Sequence, residues 1–188
     1  VTAQTWENGD TVSYQYDNSG ALATVTDSAT GVKTTYYYDF TDRLMKYVES
    51  GEDYYHSVGY TYDTINNLTS LVETINGTAY TTSYTYDSAG QLLRENNQAA
   101  GKTWVWTYDN AGNILSRKEY AYTTGTLGAV VDTVNYGYNN TNWKDLLTSY
   151  NGKNITYDAI GNPLNDGSWA YTWEHGRQVA SMNSGTTT

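Results

Sequence analysis

The sequence predicts an all-β fold, a repetitive antiparallel meander of β-hairpins that bends into a curved sheet. Three observations predict it. A short motif, aromatic-x-aromatic-Asp, returns through most of the 188 residues. The residues around it alternate with a period of two, which is the period of a strand. Seventeen Gly stand against a single Pro, and most of those Gly fall where a hairpin needs a turn.

The anchor of the repeat is the Asp after the second aromatic. It stands at Asp17, Asp39, Asp63, Asp87 and Asp109, becomes Asn139, and returns at Asp158, in steps of 22, 24, 24, 22, 30 and 19 residues. A weaker eighth copy, at 169–182, carries Trp173-Glu174 in its place. One residue before the anchor come Tyr16, Tyr38, Tyr62, Tyr86, Tyr108, Tyr138, Tyr157 and Trp173. Three before it come Tyr14, Tyr36, Tyr60, Tyr84, Trp106, Tyr136, Ile155 and Tyr171. Five before it come Val12, Thr34, Val58, Thr82, Trp104, Val134, Lys153 and Trp169. Positions that differ by two project from one face of a strand. The residues between them, such as Ser13, Gln15, Ser83 and Thr85, are small or polar.

Three residues after the anchor stand Gly20, Asp42, Asn66, Gly90, Gly112, Asn142 and Gly161, the residue types that best tolerate positive φ. The anchor Asp can accept a bond from the backbone two residues on, as in an Asx-turn. The expected loop is therefore a type I turn closed by a left-handed residue. Leu22, Leu44, Leu68, Leu92 and Ile114 then open the return strand and should pack near the ring row of their own hairpin. In later copies Lys144 and Pro163 take that slot, with Leu146 and Leu164 displaced. A second turn signal separates the copies: Asn8-Gly9, Thr30-Gly31, Ser50-Gly51, Asn76-Gly77, Ala100-Gly101, Asn151-Gly152 and Asp166-Gly167. The long step from Asp109 to Asn139, with Gly125 and Gly128, predicts a longer loop. The expectation is one continuous array over 1–188, about seven repeats plus the weaker eighth, of some sixteen strands. At ~4.8 Å per strand that is a sheet roughly 75 Å wide, which twist should curl.

Composition narrows the function classes. Twenty acidic residues against ten basic ones give a net charge of −10. That excludes nucleic acid as an expected partner, since phosphates call for Lys and Arg clusters. No apolar run approaches the ~18 residues of a membrane span, so no membrane insertion is expected. Without Cys there is no disulfide framework and no thiolate metal site. Twenty-one Tyr and six Trp beside one Phe suit half-wet surfaces better than a dry core. The chain opens at Val1 without Met or signal peptide and closes on Thr186-Thr187-Thr188 without a stop signal. It is expected to be an internal section of a longer polypeptide.

Y-x-Y-D-x-x-G-x-L at steps of about 22 residues resembles the YD repeat of the RHS family. The stretch YDAIGNPLNDGSWAYTWEHGRQVASM, Tyr157 to Met182, is similar to that family's GNP…W…W-E-x-G-R-Q segment. The family includes bacterial polymorphic toxins, insecticidal toxin-complex subunits, wall-associated proteins and the teneurins. The resemblance implies a spiral β-shell, a YD-repeat cocoon, that in toxins encloses a C-terminal effector and in teneurin-like proteins serves adhesion. It also implies bacterial secretion or a cell-surface location. Toxin members close their shell with a self-cleaving segment containing Asp-Pro. Here the one proline, Pro163, follows Asn162, so neither that element nor an effector is expected within these 188 residues.

Chemistry is harder to find. The repeated Asp could suggest calcium loops, but each turn offers one carboxylate where calcium needs six or more oxygens. Structural Asx-turns are the expectation. Glu52 and Asp53 form a carboxylate pair beside Gly51, where adjacent side chains point apart, and read as a solvated turn. His56 and His175 lie in different repeats with no evident partners. No catalytic residue, metal ligand or cofactor is assigned, and the chain is not expected to be an enzyme. The residues singled out are those of the structural repeat: Tyr16, Asp17, Gly20 and Leu22; Tyr38, Asp39 and Leu44; Tyr62, Asp63, Asn66 and Leu68; Tyr86, Asp87, Gly90 and Leu92; Tyr108, Asp109, Gly112 and Ile114; Tyr157, Asp158 and Gly161.

A candidate glycan platform is formed by Trp104, Trp106 and Tyr108 and by Trp169, Tyr171 and Trp173. The competing reading makes these rings part of the ladder that stiffens the sheet, because rings recur in every copy. The functional expectation is a non-catalytic module of a shell that encloses or displays another segment of its own polypeptide. Its alternative is a carbohydrate-binding or adhesion module whose partners are glycans or a cell-surface protein. Cut strand edges should also favour edge-to-edge self-association.

Overall fold

A computed structural model describes residues 2–184; Val1 and the Thr186-Thr187-Thr188 end lie outside the described residues. Among those residues the chain forms eighteen strands and no helix. It divides after Lys102 into two compact units. In the first, β1 (Ala3–Thr5), β2 (Thr11–Tyr16), β3 (Leu22–Asp27), β4 (Lys33–Tyr38), β5 (Leu44–Ser50), β6 (Tyr55–Tyr62), β7 (Leu68–Ile75), β8 (Thr78–Tyr86) and β9 (Leu92–Asn97) follow one another as neighbours, each antiparallel to the last.

The second unit takes up nearly all of β10 (Lys102–Tyr108) and continues with β11 (Ile114–Ala121), β12 (Val130–Gly137), β13 (Ser149–Tyr150) and β14 (Lys153–Asn154). A separate four-stranded sheet follows: β15 (Thr156–Tyr157), β16 (Pro163–Asn165), β17 (Trp169–Glu174) and β18 (Gln178–Ser184). Two strands exceed the expected sixteen. One is β1, which pairs with β2 ahead of the first anchor. The other arises because the strand expected from Lys153 to Tyr157 is split at Ile155. Its first half pairs back onto β13 and its second half pairs forward onto β16. The long step contains a strandless loop between β11 and β12, as the glycines at 125 and 128 predict.

One irregularity recurs in every hairpin whose register is known around the anchor. The ladder shifts between Gln15 and Tyr16, Tyr37 and Tyr38, Thr61 and Tyr62, Thr85 and Tyr86, Thr156 and Tyr157, and Thr172 and Trp173. The shift is a β-bulge, one extra residue on the return strand. Tyr16 pairs with Leu22 and Gln15 with Thr24, so Ala23 faces no partner. The same count leaves out Met45, Thr69, Leu93, Leu164 and Ala180. Pro163 therefore keeps the Leu slot opposite Tyr157, and Leu164, displaced in the sequence, is the bulge residue.

The two faces of each sheet differ. On one, small polar residues link neighbouring strands: in the first unit Thr24 donates to Gln15 and Asn96 to Ser83, and in the second the hydroxyls of Thr107 and Ser116 and, within the four-stranded sheet, of Thr172 and Ser181 bond at 2.7 Å. The other carries the rings and the row five before the anchor, in which Val58, Thr82 and Val134 are buried. Apolar burial is thin. Among the described residues the only buried apolar side chains are Val58, Tyr120 and Val134. The strands are thus held mainly by ladder bonds and cross-strand pairs rather than by a second packed layer.

Candidate functional site

The anchor turn is built the same way in six copies. In the first, Asp17 Oδ1 accepts from the Ser19 and Ala21 amides, both at 2.9 Å, while the Gly20 amide donates to the Asp17 carbonyl at 3.1 Å. Asp39, Asp63, Asp87, Asp109 and Asp158 repeat the pair of bonds to the amides two and four residues on. The closing residue has positive φ at Gly20, Asp42, Asn66, Gly90, Gly112 and Gly161. Donors aimed at a carboxylate favour its charged form. The Ser19 hydroxyl leads in holding Asp17 below the usual carboxylate range, and the Thr41 hydroxyl does so at Asp39. The Asn113 side chain leads at Asp109. The Asn139 copy departs: Asn140 Oδ1, not Asn139, accepts from the Asn142 and Trp143 amides, and the Asn139 amide donates to Thr148.

The Tyr before the anchor reaches back across the sheet. Tyr38 OH donates to the Leu22 carbonyl at 2.9 Å, Tyr62 to that of Leu44 and Tyr86 to that of Leu68, both at 2.8 Å. Tyr157 does the same to Leu147 at 2.7 Å. In the eighth copy Trp173 Nε1 donates to the Pro163 carbonyl at 2.7 Å, replacing a phenol by an indole in the same role. The bonds of Tyr38, Tyr62, Tyr86 and Trp173 tie one hairpin to the slot that opens the previous return strand, while that of Tyr157 reaches Leu147, two residues ahead of β13. This clasp was missed by sequence reasoning, although twenty-one Tyr against one Phe is its signal. A ring needed only for burial would not have to carry a hydroxyl.

Side chains also brace turn against turn. Arg43 Nε donates to Asp39 Oδ2 at 2.7 Å, its guanidinium bonds Asn66 Oδ1, and it lies 4.9 Å over the Tyr62 ring. In the second unit the buried Asn162 donates to Asp158 Oδ2 at 2.8 Å and to the Gly176 carbonyl at 2.7 Å, while Arg177 donates to the Ile160 carbonyl. Gly161 has φ +87°, and a Cβ there would fall 2.8 Å from the Trp143 ring. The Gly161-Asn162-Pro163 stretch and the segment from Trp173 to Arg177 are two sides of one brace.

His56, without evident partners in the sequence, sits between two carboxylates. Its Nδ1 is 3.0 Å from Glu49 Oε2 and its Nε2 2.9 Å from Glu73 Oε1, one on β5 and one on β7. Tyr47 stands edge-on at 5.6 Å. The bond to Glu49, helped by that to Glu73, raises the imidazole above its ordinary pKa against the opposing effect of burial. Glu52 and Asp53 are exposed in the 51–54 turn, and His175 occupies the turn from β17 to β18 with φ +47°. Among the described residues no three His, Cys, Asp or Glu side chains are grouped to hold a metal.

The two aromatic trios of the candidate platform differ. Trp104, Trp106 and Tyr108 are half-buried, and Trp104 Nε1 donates to Glu119 at 3.1 Å. Tyr171 and Trp173 are half-buried and spend their polar atoms on Asp166 and Pro163. Trp169 alone stands open, 41% exposed, on a cleft of about 500 Å³ that it shares with Tyr150.

Residues 86–127 match the family model of the RHS Repeat. The chain carries an RHS repeat over that stretch, a minority of its 188 residues. No curated protein sequence matches it. Among solved structures it is similar to the crystal structure of TcdB2-TccC3-TEV, at 16% identity and a TM-score of 0.60 over 94% of the chain. It is likewise similar to the Photorhabdus luminescens Tc holotoxin pore, at 14% identity and a TM-score of 0.59 over 97% of the chain. At such identities the likeness is one of fold. The chain spans 11% and 12% of the lengths of those two chains.

Proposed function

We propose that the chain is a non-catalytic wall segment of a secreted or cell-surface bacterial shell, and that the shell encloses another segment of the same polypeptide, such as a toxin effector. The observation that carries this reading is the pairing of thin apolar burial with a clasp repeated from hairpin to hairpin. A sheet held by backbone ladders, bulges and Tyr–carbonyl bonds is extended by adding hairpins and gains stiffness without a packed core. The likeness to TcdB2-TccC3 and to the Tc holotoxin pore supports the same reading. Limited proteolysis of the whole polypeptide tests it. The enclosed segment should resist digestion that degrades the same segment expressed alone. Equal rates of digestion would overturn the proposal.

A second reading, carbohydrate binding or adhesion, is favoured by the open Trp169 at its cleft rather than by the rows as a whole, whose polar atoms are largely occupied. Binding of the chain to an immobilised glycan array tests it. An array without signal would remove this reading and leave the first untouched.

A further inference from the structure

We infer that the cleft between Tyr150 and Trp169 is a binding site for an uncharged pyranoside, an inference that rests on the carbohydrate-binding reading and narrows it to one place. The cleft lies within the second unit, between the β13–β14 hairpin and the turn that leads into β17. Its volume, about 500 Å³, falls in the range of small-ligand pockets. Tyr150 and Trp169 are 43% and 41% exposed, unlike the rings of the clasps. Tyr150 is held edge-on by Tyr136, with ring centroids 5.4 Å apart. A pyranose offers C–H groups on its ring faces and hydroxyls around its rim, so it calls for aromatic planes beside mixed donors and acceptors.

The polar groups of the cleft supply both kinds. Asn151 occupies the left-handed position of the Asn-Gly turn, and its side-chain amide makes no hydrogen bond among the described residues. Lys153 spends one of its three ammonium protons on Ser168 Oγ at 2.7 Å. Its stem runs along Gly167, where a Cβ would come 2.5 Å from the Lys153 Cβ, so glycine is what leaves room for it. Asp166 accepts from the Ser168 and Trp169 amides through Oδ1 and from Tyr171 through Oδ2, which leaves Oδ2 a free lone pair. One ammonium and one carboxylate face the cleft, and this balance selects a neutral ligand over an acidic one.

Saturation-transfer NMR and titration calorimetry on the full chain, with methyl glucoside, methyl galactoside and sialyllactose as probes, test the site. One of the two neutral glycosides should bind saturably. Trp169→Ala and Tyr150→Ala should each weaken it about tenfold, which corresponds to about 1.4 kcal/mol of stacking. Trp169→Tyr should keep most of the binding, and Trp104→Ala all of it. Circular dichroism verifies folding, and should Trp169→Ala fail to fold, Tyr150→Ala and Asn151→Ala carry the test. Neutral-glycoside binding that survives all the cleft variants would overturn the site while leaving carbohydrate binding elsewhere intact. Binding of sialyllactose alone would overturn the ligand class. No binding of any probe, with a blank glycan array, would overturn the site together with the reading beneath it.

Discussion

At the residue scale the clasp gives the sharpest contrast, because the repeat supplies its own control. Tyr86 donates to the Leu68 carbonyl, and burial keeps its phenol protonated by raising its pKa. Tyr16 occupies the equivalent slot in the first copy and is 50% exposed, and its hydroxyl has no hydrogen-bond partner among the described residues. Removing one partner of a half-buried bond costs about 1 kcal/mol, and removing an exposed hydroxyl costs within about 0.5 kcal/mol. Tyr86→Phe should therefore lower Tm by about 2–4 °C, while Tyr16→Phe should leave it nearly unchanged. Equal effects in thermal melts would show that the hydroxyl bond is not what joins the hairpins. Asn162 permits a second test at this scale. Its amide donates to both Asp158 and Gly176, so Asn162→Asp replaces two donors by a carboxylate facing a carboxylate. It should destabilise the chain more than Asn162→Ala does.

At the element scale, strands and turns respond to pH in opposite directions. The imidazole of His56 joins β5, β6 and β7 through Glu49 and Glu73, with Tyr47 and Tyr54 beside it, and its folded pKa is raised. Its contribution is fully present below the unfolded pKa of about 6.5 and is lost as pH rises through the folded value. The Tm difference between the native chain and His56→Gln should thus be largest near pH 5–6 and shrink above neutrality. The anchor carboxylates Asp17, Asp39, Asp63, Asp109 and Asp158 have lowered folded pKa values, so their contribution is present above about 3.9 and is lost as pH falls below it. A Tm that falls steeply below pH 4 in the native chain should fall less in a variant with Asp63→Asn. Much of this level was legible beforehand. Alternation of Tyr with Ser and Thr marks strands, and Asp followed by Gly or Asn three residues on marks the turn. The bulge was not legible, because one extra residue such as Ala23 or Met45 leaves the turn motif and the ring rows unchanged. The partners of His56 were not legible either, since Glu49 and Glu73 meet it only through cross-strand register. Tyr150 joins Trp169 only because the expected strand breaks at Ile155, and no residue type announces that break.

At the scale of the whole molecule the question is what stops the sheets from growing. A strand with one hydrogen-bonded neighbour presents a row of unpaired amides and carbonyls to any other strand edge. Among the described residues β1 pairs only with β2 and β18 only with β17, and no proline lies in either. The exposed Met45, Leu93 and Leu164 of the bulges add apolar surface along the same sheets. The net charge of −10 opposes association at low ionic strength, and salt screens that repulsion without weakening backbone pairing. We therefore predict that the isolated chain self-associates edge to edge, with an apparent mass by light scattering that rises with both protein and salt concentration. Gln4→Lys combined with Asn183→Lys places a charge on each of these edge strands, at exposed positions that make no side-chain bond among the described residues. That double variant should remain monomeric where the native chain associates. Two added lysines reduce the net negative charge, so long-range repulsion alone would push the variant toward association. A monomeric variant would therefore locate the contact at these two edges, whereas an unchanged or larger mass would place it on the faces or at β14 and β15, the other end strands of the two sheets.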